Sequence, residues 1–154
     1  MAFLLTSPAF SHGKPIPASY TGEGKNISPP LQWTDPHESA QSFALICDDP
    51  DAPGGNWVHW VIYGIPGEAR SLDEATPADA QLPGGARNGV NSWNRLGYGG
   101  PMPPSGTHRY FFKLYALDTA LGLKPGASKE QLLKAMQGHV IAMTELMGTY
   151  MRKP

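Results

Sequence analysis

Three stretches of the chain, residues 42–48, 58–64 and 109–117, are dense in β-branched and aromatic side chains and read as β-strands. Strand side chains alternate between faces with a period of two. On the second stretch this sets Trp57, His59, Val61 and Tyr63 on one face and Val58, Trp60 and Ile62 on the other. Both faces are apolar, which describes a central strand covered on both sides. On the third stretch, His108, Tyr110, Phe112 and Leu114 share a face opposite Arg109, Phe111, Lys113 and Tyr115. Shorter strands are expected at 3–6 and 31–33, joined by sequence too rich in Gly and Pro for a helix.

Residues 66–107 form a long connection. A polar stretch around 69–80 is expected to hold a short helical turn, and Gly, Pro and Asn dominate the rest. A connection of this length in a compact domain is functional or carries irregular structure of its own. At the C-terminal end Ser128 and Gln131 match a capping box. Leu132, Met136, Val140, Met143, Met147 and Tyr150 then recur at helical spacing, so one helix is expected through this region with its methionines filling core. Gly138 costs about 1 kcal/mol inside such a helix, which close packing would explain. His139 lies off the stripe and is expected to be exposed.

The 154 residues suit a single domain, 1–154, large enough to bury a core. Many special backbone positions are implied by 18 Gly and 16 Pro, while 40% hydrophobic content argues against disorder. The net charge is −1 and the longest basic run is Arg152-Lys153, which excludes nucleic acid as the main partner. Cys47 is the single cysteine and reads as a small core residue. The first residues lack a basic signal-peptide n-region, and no segment is long and apolar enough to span a membrane, so a cytoplasmic location is expected.

The candidate chemistry sits at strand ends. Asp48-Asp49-Pro50-Asp51-Ala52-Pro53 closes the first long strand, and Gly97-Tyr98-Gly99-Gly100-Pro101-Met102-Pro103-Pro104 leads to His108-Arg109-Tyr110. Asp-Pro is also ordinary turn chemistry, a histidine in an apolar strand can be a satisfied core residue, and Gly99-Gly100-Pro101 can be a plain turn. That glycine pair can also offer amide N–H groups to an anion. Of the two acids, one can orient a histidine or bind ligand while the other ties down loop amides.

Taken in this order, the motifs resemble the phosphatidylethanolamine-binding protein family, in its bacterial Raf-kinase-inhibitor-like branch. The resemblance extends over Tyr20-Thr21-Gly22, Asn26 to Trp33, Phe43 to Pro53, Trp57-Val58-His59-Trp60, Gly97 to Tyr110, Gly138-His139-Val140 and Glu145 to Tyr150. It implies a β-rich α+β fold, a central antiparallel sheet packed on a smaller sheet, with a C-terminal helix near the pocket. It further implies a ligand pocket of Asp49, His59, His108 and Tyr110, with Pro53, Trp57, Gly100 and Pro101 as walls and rim. Met102 stands where the bacterial branch often has cysteine. The expected function is non-catalytic binding of a phosphate-like anion or phospholipid headgroup, with regulation of a protein kinase or protease partner. A homodimer is also implied. No cofactor, metal or integral membrane association is expected. The competing reading is a hydrolase or metal-dependent enzyme using Asp49, His59 and His108. Against it, Ser105 lies in a loop without a nucleophile elbow and Cys47 looks buried, while no HxH or HxxxH spacing is present.

Overall fold

The computed structural model describes residues 2–34 and 36–153. In chain order it contains β1 (Leu4–Thr6), a single 3-10 turn (Ala18–Tyr20), β2 (Leu31–Thr34), β3 (Ser42–Asp49), β4 (Trp57–Pro66), β5 (Ser71–Leu72), β6 (Arg87–Asn88), β7 (Thr107–Leu117), α1 (Lys129–Met136) and β8 (Val140–Met151). The strands form two antiparallel sheets, a small one ordered β1-β2-β5 and a large one ordered β6-β4-β3-β7-β8. The residues around 69–80 hold β5 and a turn at Glu74 and Ala75 in place of the expected helical turn.

β3 is buried along its whole length, since both neighbours and both faces are covered. One face packs Phe43, Leu45, Trp60, Ile62, Phe112 and Leu114 against Leu5, Leu31 and Trp33 of the small sheet. The opposite face packs Ala44, Ile46, Val61 and Tyr63 against Leu132 and Met136 of α1. Apolar strand runs thus have a partner layer on each side.

The C-terminal helix is shorter than expected. The capping box is present, with Gln131 N–H donating to Ser128 Oγ at 3.1 Å and Ser128 N–H donating to Gln131 Oε1 at 2.9 Å. The helix stops at Met136, and residues 140–151 are a strand paired along nearly all of β7. Gly138 has φ +79 and nothing within 4 Å of where a Cβ would lie. It is there for a left-handed turn between helix and strand, and packing plays no part. Along β8 the buried positions are Thr144, Leu146, Gly148 and Tyr150, a period of two. The spacing of Val140, Met143 and Met147 mimicked a helical stripe, but Val140 and Met143 are exposed. β-branched Val140, Ile141, Thr144 and Thr149, together with the long partner strand, favour the extended form. His139 is partly exposed and bonded to Asp118.

The two readings of this segment separate by mutation. Met143→Ala is expected to change unfolding free energy by less than about 0.5 kcal/mol, as for an exposed site. Leu146→Ala is expected to cost about 2 to 4 kcal/mol by chemical denaturation, as for a fully packed leucine.

Candidate functional site

β3 ends, β4 begins and β7 begins at the same end of the large sheet. Antiparallel pairing sets Asp49 opposite Trp57 and Asp48 opposite both Val58 and Phe111. The two adjacent acids point to opposite faces. Asp48 lies on the α1 side, where its Oδ2 meets Lys129 Nζ at 2.7 Å and Asn56 Nδ2 at 3.0 Å, with Lys113 Nζ 3.5 Å from its Oδ1. Burial opposes its ionisation, and the two ammonium groups with Asn56 overcome that and hold its carboxyl below the usual range. Asp49 lies on the other face, with His108 and Tyr110.

Strict alternation would put His59 on the Val61 and Tyr63 face, away from this site. The register explains why it is not there. Cys47 pairs with Trp60 and Asp48 with Val58, so His59 is an extra residue in β4. Such a bulge resets the alternation. Trp57, His59 and Trp60 consequently lie on the same side, and the His59 ring meets the Tyr110 ring edge-on at 5.1 Å.

Hydrogen bonds orient each side chain. Asp49 Oδ2 accepts from His108 Nδ1 at 2.7 Å, and Asp49 Oδ1 accepts from Asp51 N–H at 2.7 Å. Asp49 thereby orients the His108 ring and fixes the start of the acidic loop. Asp51 in turn accepts from Arg109 N–H and Nε, both at 2.9 Å, and from Nη2 at 2.8 Å. These bonds hold its carboxyl down to about 2. His59 Nδ1 lies 2.7 Å from Gly99 O. A carbonyl only accepts, so Nδ1 carries the proton and Nε2 keeps a lone pair. Burial pushes the pKa of His59 below its ordinary value, against the pull of Gly99 and Asp49, so the ring is neutral near pH 7. Tyr110 Oη is buried and has no hydrogen-bond partner among the described residues. Burial, then the nearby Asp49 charge, pushes its pKa well up, so it remains a phenol and a donor.

Asp49, His59, His108, Tyr110, Trp57 and Pro53 line one cavity of about 440 Å³. Gly100 and Pro101, expected in its rim, do not line it. Gly100 N–H donates to Asn26 Oδ1 at 2.7 Å, and Pro101 O accepts from Gly22 N–H at 2.9 Å. A Cβ at Gly100 would collide with the backbone of Tyr20 and Thr21. The glycine pair therefore docks the 97–106 loop onto the N-terminal segment, and its amides are taken: Gly99 N–H donates to His59 O at 2.9 Å. The cavity also has lining residues outside the expected site set, Trp93, Asn56, Met102 and Pro103 among them. An aromatic residue within the polar loop Asn91-Ser92-Trp93-Asn94 was the available signal, because loop aromatics commonly serve binding. Trp93 sits edge-on to both Trp57 and His59, at 5.4 and 5.1 Å. Ser105 is exposed and off the cavity, and Cys47 is buried with its thiol pushed up by burial. Among the described residues no group of three or more His, Cys, Asp or Glu is arranged to hold a metal ion, and no helix is long and apolar enough to cross a membrane.

With this geometry in place, comparisons with known proteins place the chain. Residues 6–151 match the model of the family described as phosphatidylethanolamine-binding protein. The UPF0098 protein of Methanothermobacter thermautotrophicus is 54% identical over 148 residues, covering 96% of this chain and 98% of that one. The crystal structure of a phosphatidylethanolamine-binding protein homolog, CT736 of Chlamydia trachomatis, superposes with TM-score 0.91 at 45% identity, covering 99% of each chain. The structure of Escherichia coli YbcL, described as a new member of the mammalian family, superposes with TM-score 0.91 at 34% identity over 99% of this chain and 100% of that one. The chain belongs to the phosphatidylethanolamine-binding protein family. A Mycobacterium tuberculosis relative 43% identical over 149 residues, with 95% of this chain and 71% of its own length covered, is named as a lipoprotein, LppC.

The neutral burial of His59 has a sign-definite consequence. Its pKa is lower in the folded chain than its ordinary value of 6.5. The unfolded chain therefore binds the extra proton first as pH falls below that value, and stability drops until the folded pKa is reached. Between pH 7 and 5 the wild type is expected to lose stability relative to His59→Gln, with a differential slope up to about 1.4 kcal/mol per pH unit. Urea denaturation of both proteins across this range checks it, and equal slopes contradict the neutral assignment.

Proposed function

We propose that the cavity binds a phosphate-like oxyanion, free or as a phospholipid headgroup, without turning it over. The observation that carries this reading is the buried, unpartnered Tyr110 Oη beside a histidine whose Nδ1 is bonded to Asp49. A buried hydroxyl without a partner costs about 1 to 3 kcal/mol. A ligand oxygen on this wall recovers that cost. His108 carries the charge balance. With Nδ1–H held by Asp49, a second proton on Nε2 makes a cationic donor directed away from the carboxylate. His59, neutral and with a lone pair on Nε2, accepts from a protonated ligand oxygen. A phosphate or phosphomonoester monoanion supplies such a P–OH, and in a phospholipid headgroup, whose phosphodiester has none, a headgroup hydroxyl or ammonium would donate to His59 in its place. Trp57, Trp93 and Met102, each more than a third exposed, form an apolar rim for whatever the phosphate is attached to.

The non-catalytic part of the reading rests on the cavity wall. None of the residues lining it is Ser, Thr, Cys or Lys. The Asp49–His108 pair does favour one second reading, a hydrolase in which His108 activates water. The wider biological reading follows the family: a cytoplasmic regulator of a protein kinase or protease, working as a homodimer, with pocket occupancy controlling the partner.

Calorimetric titration with inorganic phosphate at about pH 6 and about pH 8 tests the binding, since histidine titrates in this range. Affinity is expected to fall as pH rises. Tyr110→Phe is expected to weaken binding about ten-fold at both pH values. His108→Gln, which removes the imidazole beside Tyr110, is expected to weaken it at both pH values. Zinc binding that tightens with pH, with no phosphate binding at either pH, contradicts the proposal. Phosphomonoester hydrolysis that disappears in a folded His108→Gln variant favours the hydrolase.

A further inference from the structure

A second cavity of about 420 Å³ adjoins the first, and Trp93 and Met102 line both. Two of its lining residues, Arg95 and Asn26, offer side-chain donors without a partner among the described residues. Arg95 N–H is tied to Asn91 Oδ1 at 3.2 Å, which fixes the backbone, while the exposed guanidinium takes no partner among the described residues. Asn26 commits its Oδ1 to Gly100 N–H, leaving its Nδ2 donor unpaired. Two further polar side chains are satisfied within the wall: Asn91 Nδ2 donates to Gly97 O at 3.0 Å and Tyr98 Oη to Tyr20 O at 2.6 Å. None of the lining residues carries a carboxylate. Arginine with unopposed amide donors suits a planar or tetrahedral oxyanion.

The partition between the cavities is apolar and lightly held. The Trp93 ring covers Gly99, where a Cβ would collide with it. Met102 lies against Gly22, where a Cβ would sit 2.7 Å from its Sδ. Trp93 is 39% and Met102 42% exposed, so both rims are open to an apolar chain laid across them. An unbranched methionine adapts to such a chain more readily than a smaller, stiffer side chain.

The geometry points to a bipartite ligand: a phosphate-like head in the His108 and Tyr110 cavity, an apolar spacer across Trp93 and Met102, and a second acidic group held by Arg95 and Asn26. This rests on the oxyanion reading of the first cavity and adds the chemical class of the whole ligand, a small molecule acidic at both ends. It also gives Arg95 and Met102 a role in ligand selection that the first cavity does not require.

Probes acidic at one or both ends separate the two readings. ω-Phosphonohexanoate, its methyl ester and inorganic phosphate are titrated into wild type and Arg95→Gln by calorimetry. The carboxylate is expected to bind wild type about five-fold more tightly than the ester, a modest gain because Arg95 is exposed. That advantage disappears in Arg95→Gln, with inorganic phosphate as the internal reference. Equal binding of acid and ester by wild type, alongside measurable phosphate binding, overturns the second subsite and leaves the first reading intact. Where no phosphorus probe binds, the first reading fails and hexanoate alone decides the second. Shifts of the Trp93 indole N–H resonance with hexanoate, absent with hexanol and absent in Arg95→Gln, support the subsite. No such shift overturns it.

Discussion

One extra residue in β4 decides which side chains line the cavity at the end of the large sheet. Between the Trp60–Cys47 and Val58–Asp48 pairs, His59 has no opposite number in β3. Without that bulge the histidine would enter the layer under α1, beside Val61 and Tyr63, and the opposite face would keep only Asp49, His108 and Tyr110. With it, two imidazoles, a phenol and a carboxylate occupy one sheet end. Bulges at sheet ends commonly re-aim a side chain in this way. The local cost of the broken ladder is offset by Gly99, which accepts from the His59 ring and donates to the His59 carbonyl.

The loops over this end are built to hold those rings still. Asp51 ties the acidic loop to Arg109, and its own N–H fixes Asp49. Gly100 and Pro101 tie the long loop to the N-terminal segment, which itself bonds to β8 through Gly13 N–H and Ile16 N–H. Remote parts of the chain therefore converge on one cavity by backbone hydrogen bonds, and rigidity of the site follows from the fold. A preorganised wall loses little entropy when a ligand arrives.

Much of this was legible from residue pattern and motif. The central strands were readable because β3 and the middle of β4 are buried on both faces and leave continuous apolar runs, while β7 alternates buried with half-exposed residues. The Asp49, His108 and Tyr110 grouping was readable because strand ends and a shared face put them together. The face of His59 was not readable from alternation, since a bulge is a matter of register between two strands, and only the family resemblance put it in the pocket. β8 was misread because Val140, Met143 and Met147 keep a helical spacing while the buried set Thr144, Leu146, Gly148 and Tyr150 keeps a strand spacing. Which of two overlapping periods is realised depends on the partner strand. Gly100 and Pro101 carried a motif that suits anion binding equally well as loop docking, and only the position of Asn26 and Gly22 distinguishes them.

The central claim of the proposed function is that His59 is neutral with its proton on Nδ1 and that His108 and Tyr110 face the bound oxyanion. Nitrogen-15 NMR of the histidine rings near pH 7, before and after adding inorganic phosphate, reads this directly. The account predicts an Nδ1–H neutral tautomer for His59 in both states and a shift of the His108 Nε2 signal on binding. An Nε2–H tautomer or a charged ring at His59, or phosphate binding that leaves the His108 nitrogens unchanged, would contradict it.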